Sequence, residues 1–184
     1  MEFYKPNAKN TGSACSFWLS HKDNRFYACL IKQDSWNASK RTGSFSQNTN
    51  NPQKKVIIKF SNSEIAGILD SIDNKRSFTG YHDGASTQFS TSFKFEPYMR
   101  DGLQVGSSFM VTKSSKEDTS NKNSFVIGLN FGESRLLREN LVYLLNKSFE
   151  NDAKNFASKS KNTEELPSPE SQPKEADLIQ IDEF

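Results

Sequence analysis

Three groups of residues combine flat rings with cations. Trp18 and Tyr27 lie close to Lys22 and Arg25; Trp36 leads into Lys40, Arg41 and Phe45; Tyr81, Lys94, Tyr98 and Arg100 make a third set. Lys54, Lys55 and Lys113, with Lys116 and Lys122, add charge in segments that read as loops or strand ends. A ring offered to an unpaired base is worth about 1–3 kcal/mol, and ammonium or guanidinium groups follow the phosphates. Together they supply the chemistry for holding a single strand without reading its bases. Each residue also has a plainer reading, as a packed ring or a solvated charge, and Trp18 equally fits the core on the second face of its strand.

The charge distribution points the same way. Residues 164 to 184 hold seven acidic side chains and one basic one, a net of −6, which leaves 23 − 15 = +8 on the rest of the chain. A cationic body suits a polyanion, and an acidic end piece can compete for that surface or address another protein. At the extreme end Asp177, Ile179, Ile181, Asp182, Glu183 and Phe184 alternate acidic with apolar character. A terminal phenylalanine sets an apolar ring beside a carboxylate, a shape suited to an apolar pocket rimmed by Arg or Lys. These six are the candidate partner-binding residues.

Little here supports catalysis. The chain has no glycine-rich phosphate cradle and no nucleophile elbow, and its paired carboxylates lie in the acidic end piece. Two cysteines, Cys15 and Cys29, and two histidines, His21 and His82, show no metal-ligand spacing. We therefore expect no cofactor, no metal and no enzyme, with both thiols reduced. The start, Met1-Glu2-Phe3-Tyr4-Lys5-Pro6, lacks a secretory signal, and no apolar run approaches spanning length, so we expect a cytoplasmic protein with no membrane partner.

The elements that must position these residues read as α+β. Phe17 to Leu19 and Phe26 to Ile31 form a hairpin over Lys22-Asp23-Asn24-Arg25. Centring the turn on Asp23-Asn24 sets Phe17 against Leu30 and Leu19 against Ala28 on one face, and Trp18 against Cys29 on the other. A polar segment with a short strand near Thr42 to Ser46 precedes Val56 to Phe60, and Ser61 with Glu64 forms a capping box for a helix buried through Ile65, Ile68, Leu69 and Ile72. Strands at 77–82, 87–96, 108–112 and 125–131 follow, then a helix over about 133–150 with Leu137, Leu141, Leu144, Leu145 and Phe149 along one side. A spacing of 71 residues matches Val56 to Ile127, Ile58 to Leu129, Phe60 to Phe131, Ser63 to Ser134 and Ile65 to Leu136. The chain thus reads as two repeats, about 13–74 and 75–150, each of four antiparallel strands plus a helix. They form one domain over 13–151, between a flexible 1–12 and a disordered acidic tail over 152–184.

That layout resembles the Whirly-like proteins, relatives of the positive-cofactor-4-like single-stranded DNA binders, although the lysine- and glycine-rich motif of the plant members is not found. The resemblance implies two antiparallel sheets lying across each other, binding of single-stranded DNA with little sequence preference, and homo-oligomerisation through the helices. The ending Ile181-Asp182-Glu183-Phe184 separately resembles the acidic, phenylalanine-terminated tails of bacterial and phage replicative single-stranded DNA-binding proteins, closest to the phage versions. This implies replication or recombination proteins as tail partners and, for a phage protein, the host cytoplasm or nucleoid. RNA binding or a transcription-cofactor role on the same fold stays open, as do a protein-interaction adaptor and, structurally, an OB-fold barrel.

Overall fold

The computed structural model describes residues 1–84, 88–118 and 120–163, with side chains described as far as residue 158. Among these residues ten strands and two α-helices occur in the order β1 (Glu2–Lys5), β2 (Ser13–Leu19), β3 (Phe26–Lys32), β4 (Ser35–Asn37), β5 (Thr42–Ser44), β6 (Lys55–Phe60), α1 (Asn62–Asn74), β7 (Phe78–His82), β8 (Phe89–Arg100), β9 (Leu103–Ser115), β10 (Lys122–Asn130) and α2 (Phe131–Thr163). Two four-stranded sheets result, ordered β1-β2-β3-β6 and β10-β9-β8-β7, with β4 and β5 forming a separate ribbon. All pairings are antiparallel. The expected α+β layout of two four-strand-plus-helix units is present, and the OB-fold barrel is excluded.

Alternation explains how the sheets meet. Phe17, Phe26 and Phe60 from the first sheet and Phe95, Phe109 and Phe125 from the second are fully buried in one shared core. The Phe109 ring lies 5.5 Å from Phe17, 6.2 Å from Phe60 and 5.9 Å from Phe95, centroid to centroid. Ile65 and Ile68 of α1 and Leu137 and Leu141 of α2 seal this core, while Leu69, Ile72, Leu144 and Leu145 pack at its margin. Phe149, expected on the buried side, is instead exposed. It lies just beyond Ser148, the last buried residue described in the helix, where the core has ended.

Four further sequence expectations are corrected. The β2–β3 register is shifted by two residues, with Phe17 opposite Ala28, Trp18 opposite Tyr27 and Leu19 opposite Phe26. The hydrogen bond from Ser20 N to Arg25 O closes a four-residue turn, His21 to Asn24, with left-handed Asn24 (φ 51°) as its last residue. Because the slip is even, the faces stay as expected. Second, the fourth strand of the first sheet is β1, from the segment expected to be flexible, while the strand near residue 42 pairs only with β4. Buried Phe3, opposite Cys15, anchors β1.

Third, burial and caps align the two units at an offset of 69 residues rather than 71. Buried Val56, Ile58 and Phe60 correspond to buried Phe125, Ile127 and Leu129, and Ile68 to Leu137. At the expected offset, buried Phe60 and Ile65 would match Phe131 and Leu136, which are both exposed. The caps fix the true spacing. Ser61 Oγ accepts from Glu64 N (3.2 Å) while Glu64 Oε2 accepts from Ser61 N (2.8 Å); Asn130 and Glu133 repeat the exchange at 2.9 and 2.8 Å. Ser61→Ala should cost about 1 kcal/mol of unfolding free energy in urea, whereas Ser63→Ala outside the reciprocal pair should stay within about 0.5 kcal/mol.

Fourth, α2 runs on to Thr163, through residues 152–163 expected to be disordered. Neither glycine nor proline interrupts the chain between Gly132 and Pro167, so extension adds one hydrogen bond per residue at little cost. Asn24 also clasps the helix, donating from Nδ2 to Ser148 O (2.9 Å) and Asp152 Oδ1 (2.8 Å). The expected disorder of 164–184 lies outside the described residues.

Candidate nucleic-acid interface

The outer face of the first sheet presents one row of three side chains, Trp18, Tyr27 and Lys59, directly opposed across β2, β3 and β6. The Trp18 and Tyr27 rings are stacked at 5.6 Å with 16° between their planes, and Trp18 is 36 % exposed. Alternation makes this unavoidable, since Phe17, Leu19, Phe26 and Ala28 take the core side. Trp18 is therefore not sealed in a second-face core. Lys22 and Arg25 are exposed in the turn beside it.

Lys59 was missed among the sequence candidates, although Val56-Ile57-Ile58-Lys59-Phe60 alternates and places it outward. Its ammonium is 2.9 Å from Asp23 Oδ2 and 5.8 Å from the Tyr27 ring centroid; the Tyr27 hydroxyl donates to the same carboxylate at 2.8 Å. Hydrogen bonds from Lys59, then Tyr27 and Ser20, hold the Asp23 carboxyl well below the usual range, and that carboxylate raises both the Tyr27 phenol and the Lys59 ammonium. The arrangement pairs Lys59 with Asp23, whereas among the described residues neither Lys22 nor Arg25 has a carboxylate within 4.0 Å, so the uncompensated positive charge here comes from those two.

Phe45 folds back over the other end of this face. Its ring meets Tyr4 of β1 edge-on at 6.0 Å, and the two wall a cleft of about 150 Å³ with Ala14, Cys29 and Ile31. Tyr4 was hidden from the sequence reading because its segment was expected to be flexible. Trp36 is half-buried in β4, with Lys40 and Arg41 exposed in the following turn. Asp34 holds the excursion, accepting from Gln47 N (2.8 Å) and Ser44 Oγ (3.3 Å). Lys55 starts β6 opposite Ile31, its ammonium donating to Thr49 O at 2.9 Å.

The third sequence group is divided. Tyr81 and Lys94 line a shallow groove of about 410 Å³ on the outer face of the second sheet, with Thr79, Met110 and Thr112. Lys94 is paired with Glu96. Tyr98 and Arg100 lie farther along β8 and open instead on a crevice of about 580 Å³ between the two sheets, near Lys5 and Asn130. There the guanidinium stands 5.9 Å from the Tyr98 centroid. Lys113 shares the side of its strand that carries Phe109 and Val111, and its ammonium sits 4.1 Å above the Phe89 ring, so it does not join Lys94. Lys54 is exposed at the mouth of a second crevice, described below. The six tail residues from Asp177 to Phe184 lie outside the described residues.

Two antiparallel sheets that share one core, with helices following β6 and β10, decide the likeness to known structures. The chain is similar to the crystal structure of WHY1 from Arabidopsis thaliana, with a TM-score of 0.58 at 16 % identity over 90 % of this chain and 93 % of that one. It is also similar to WHY3 from the same plant, with a TM-score of 0.56 at 17 % identity over 85 % and 95 %. The fold is Whirly-like. At this identity the likeness is one of architecture, and no protein-family model or curated protein matches the sequence.

Within this Whirly-like frame other chemistries have little to use. Cys15 and Cys29 are free, and burial raises both thiols, so neither is an activated nucleophile. His82 Nε2 is tied to Glu64 Oε1 at 2.6 Å, joining β7 to α1. Among the described residues no cluster of three or more His, Cys, Asp or Glu could hold a metal, and no helix is long and apolar enough to cross a membrane.

Proposed function

We propose that this protein is a non-catalytic single-stranded DNA-binding protein of replication or recombination. The observation that carries this reading is the exposed Trp18–Tyr27 stack beside the uncompensated Lys22 and Arg25, set on a Whirly-like sheet. Bases stack on the rings while phosphates meet the loop cations, so affinity depends little on sequence and strongly on salt. The acidic end piece, with Phe184 at its tip, serves partner proteins and competes with DNA for the basic body. Exposed Leu136, Tyr143 and Phe149 on α2 support self-association through the helices.

Fluorescence anisotropy with labelled dT, rU and duplex oligonucleotides at several salt concentrations tests the reading. For four to six neutralised phosphates the plot of log K against log salt should fall with a slope of about −3 to −4 for dT, at roughly 0.7 per phosphate. Preference for rU would move the function to RNA, and absence of binding at low salt would leave only an adaptor. A chain ending at Thr163 should bind dT at least as tightly as the full chain. Ending at Asn151 would also remove Asp152, whose carboxylate accepts from Asn24 Nδ2, so the longer chain is the one to use.

A further inference from the structure

β10 crosses the end of the first sheet, and a crevice of about 290 Å³ opens there between Ser13, Lys32, Lys54, Ser124 and Val126. Lys32 ends β3 with its side chain turned into the junction. Its ammonium donates to Asn123 Oδ1 at 2.8 Å and lies 4.7 Å from the Phe125 ring centroid. Asn123 is fixed in turn, donating from Nδ2 to Gln53 O at 2.6 Å. The Lys32 backbone N–H bonds Lys54 O at 2.8 Å, which brings the two lysines together.

Every partner of this pair is neutral. Lys59, Lys94 and Lys116 each reach a carboxylate, but among the described residues neither Lys32 nor Lys54 has one within 4.0 Å. Partial burial, and then the nearby charge of Lys54, lowers the Lys32 ammonium from its ordinary value. Removing a cation from water beside a like charge carries an energetic cost that an anion in the crevice would relieve.

We propose that this crevice seats a phosphodiester of the bound single strand between the ammonium groups of Lys32 and Lys54. The proposal rests on the single-strand reading above and adds a contact remote from the Trp18–Tyr27 platform. Lys32 lies five positions beyond Tyr27 along β3, about 17 Å, and points to the other side of the sheet. A strand that touches both passes around the end of the first sheet and into the junction.

The test uses full-length protein, wild type and the variants Lys32→Gln, Lys54→Gln and, as an exposed control, Lys154→Gln. Each crevice substitution should reduce dT affinity several-fold at low salt and flatten the salt slope by about 0.7, while the control changes neither. Lysine side-chain NMR of the wild type gives a readout that does not depend on a variant folding. The Lys32 ammonium signal should move on adding dT, and its titration midpoint should rise. Wild-type dT binding with both crevice variants keeping the full slope would overturn the phosphate seat and leave the single-strand reading standing. A Lys32 signal that moves with inorganic pyrophosphate and ignores dT would assign a free oxyanion instead and overturn it equally. Failure of the wild type to bind dT at low salt would overturn both.

Discussion

Trp18→Ala should weaken oligo-dT binding by about 5- to 150-fold, the range set by about 1–3 kcal/mol for one base–ring stack. Trp18 is the ring to remove because it is the more accessible partner of the stack, whereas the Tyr27 phenol is committed to Asp23. Tyr27→Phe retains the ring and should change affinity by no more than about twofold, since it removes only a hydrogen bond at an exposed site. Anisotropy at fixed salt measures both effects. Urea unfolding must accompany it, because losing the ring pair alone costs about 0.5–1.5 kcal/mol of stability. Unchanged dT affinity in a folded Trp18→Ala protein would remove the platform from the site.

The largest stability effect is expected at Phe109. Truncation to alanine should cost about 3–5 kcal/mol, the usual loss for a buried phenylalanine whose cavity cannot collapse. Collapse is resisted on three sides by the rings of Phe17, Phe60 and Phe95, from strands of both sheets. Against a typical total of about 5–15 kcal/mol, this leaves a marginal protein. Phe149→Ala, at an exposed helix position, should move the urea midpoint far less. A loss below about 1 kcal/mol at Phe109 would contradict the shared core.

The parts legible in the sequence were those written in local patterns. The Ser61–Glu64 cap, the inward row of Ile65 and Ile68, and the outward row of Trp18 and Tyr27 follow from periods of 3.6 and 2, and the structure has all of them. A register error of two residues left the outward row intact because it preserved parity. Strand lengths were harder to read. β8 and β9 extend to Arg100 and Leu103, closing over Asp101-Gly102 at φ 50° and 79°, a two-residue turn the sequence signals but that Pro97, Gly106 and the register shift at Tyr98/Met99 obscured by breaking the strand alternation. The repeat offset was misjudged because apolar matches at 71 competed with cap matches at 69, and only the caps mark a fixed point on the helix. Tyr4 and Lys32 were invisible as site residues because what surrounds them is set by contacts between distant segments. Phe45 meets the first, and Asn123 meets the second.

The interlocked rings of the two sheets also make each unit dependent on the other. Neither half encloses an apolar interior by itself: the inward rings of each find their cover in the other. Either unit made alone would leave its inward rings uncovered and would need a second copy to bury them. The outer surfaces carry no such constraint and differ, the first sheet bearing the Trp18–Tyr27 pair and the second a groove lined by Tyr81, Lys94 and Met110.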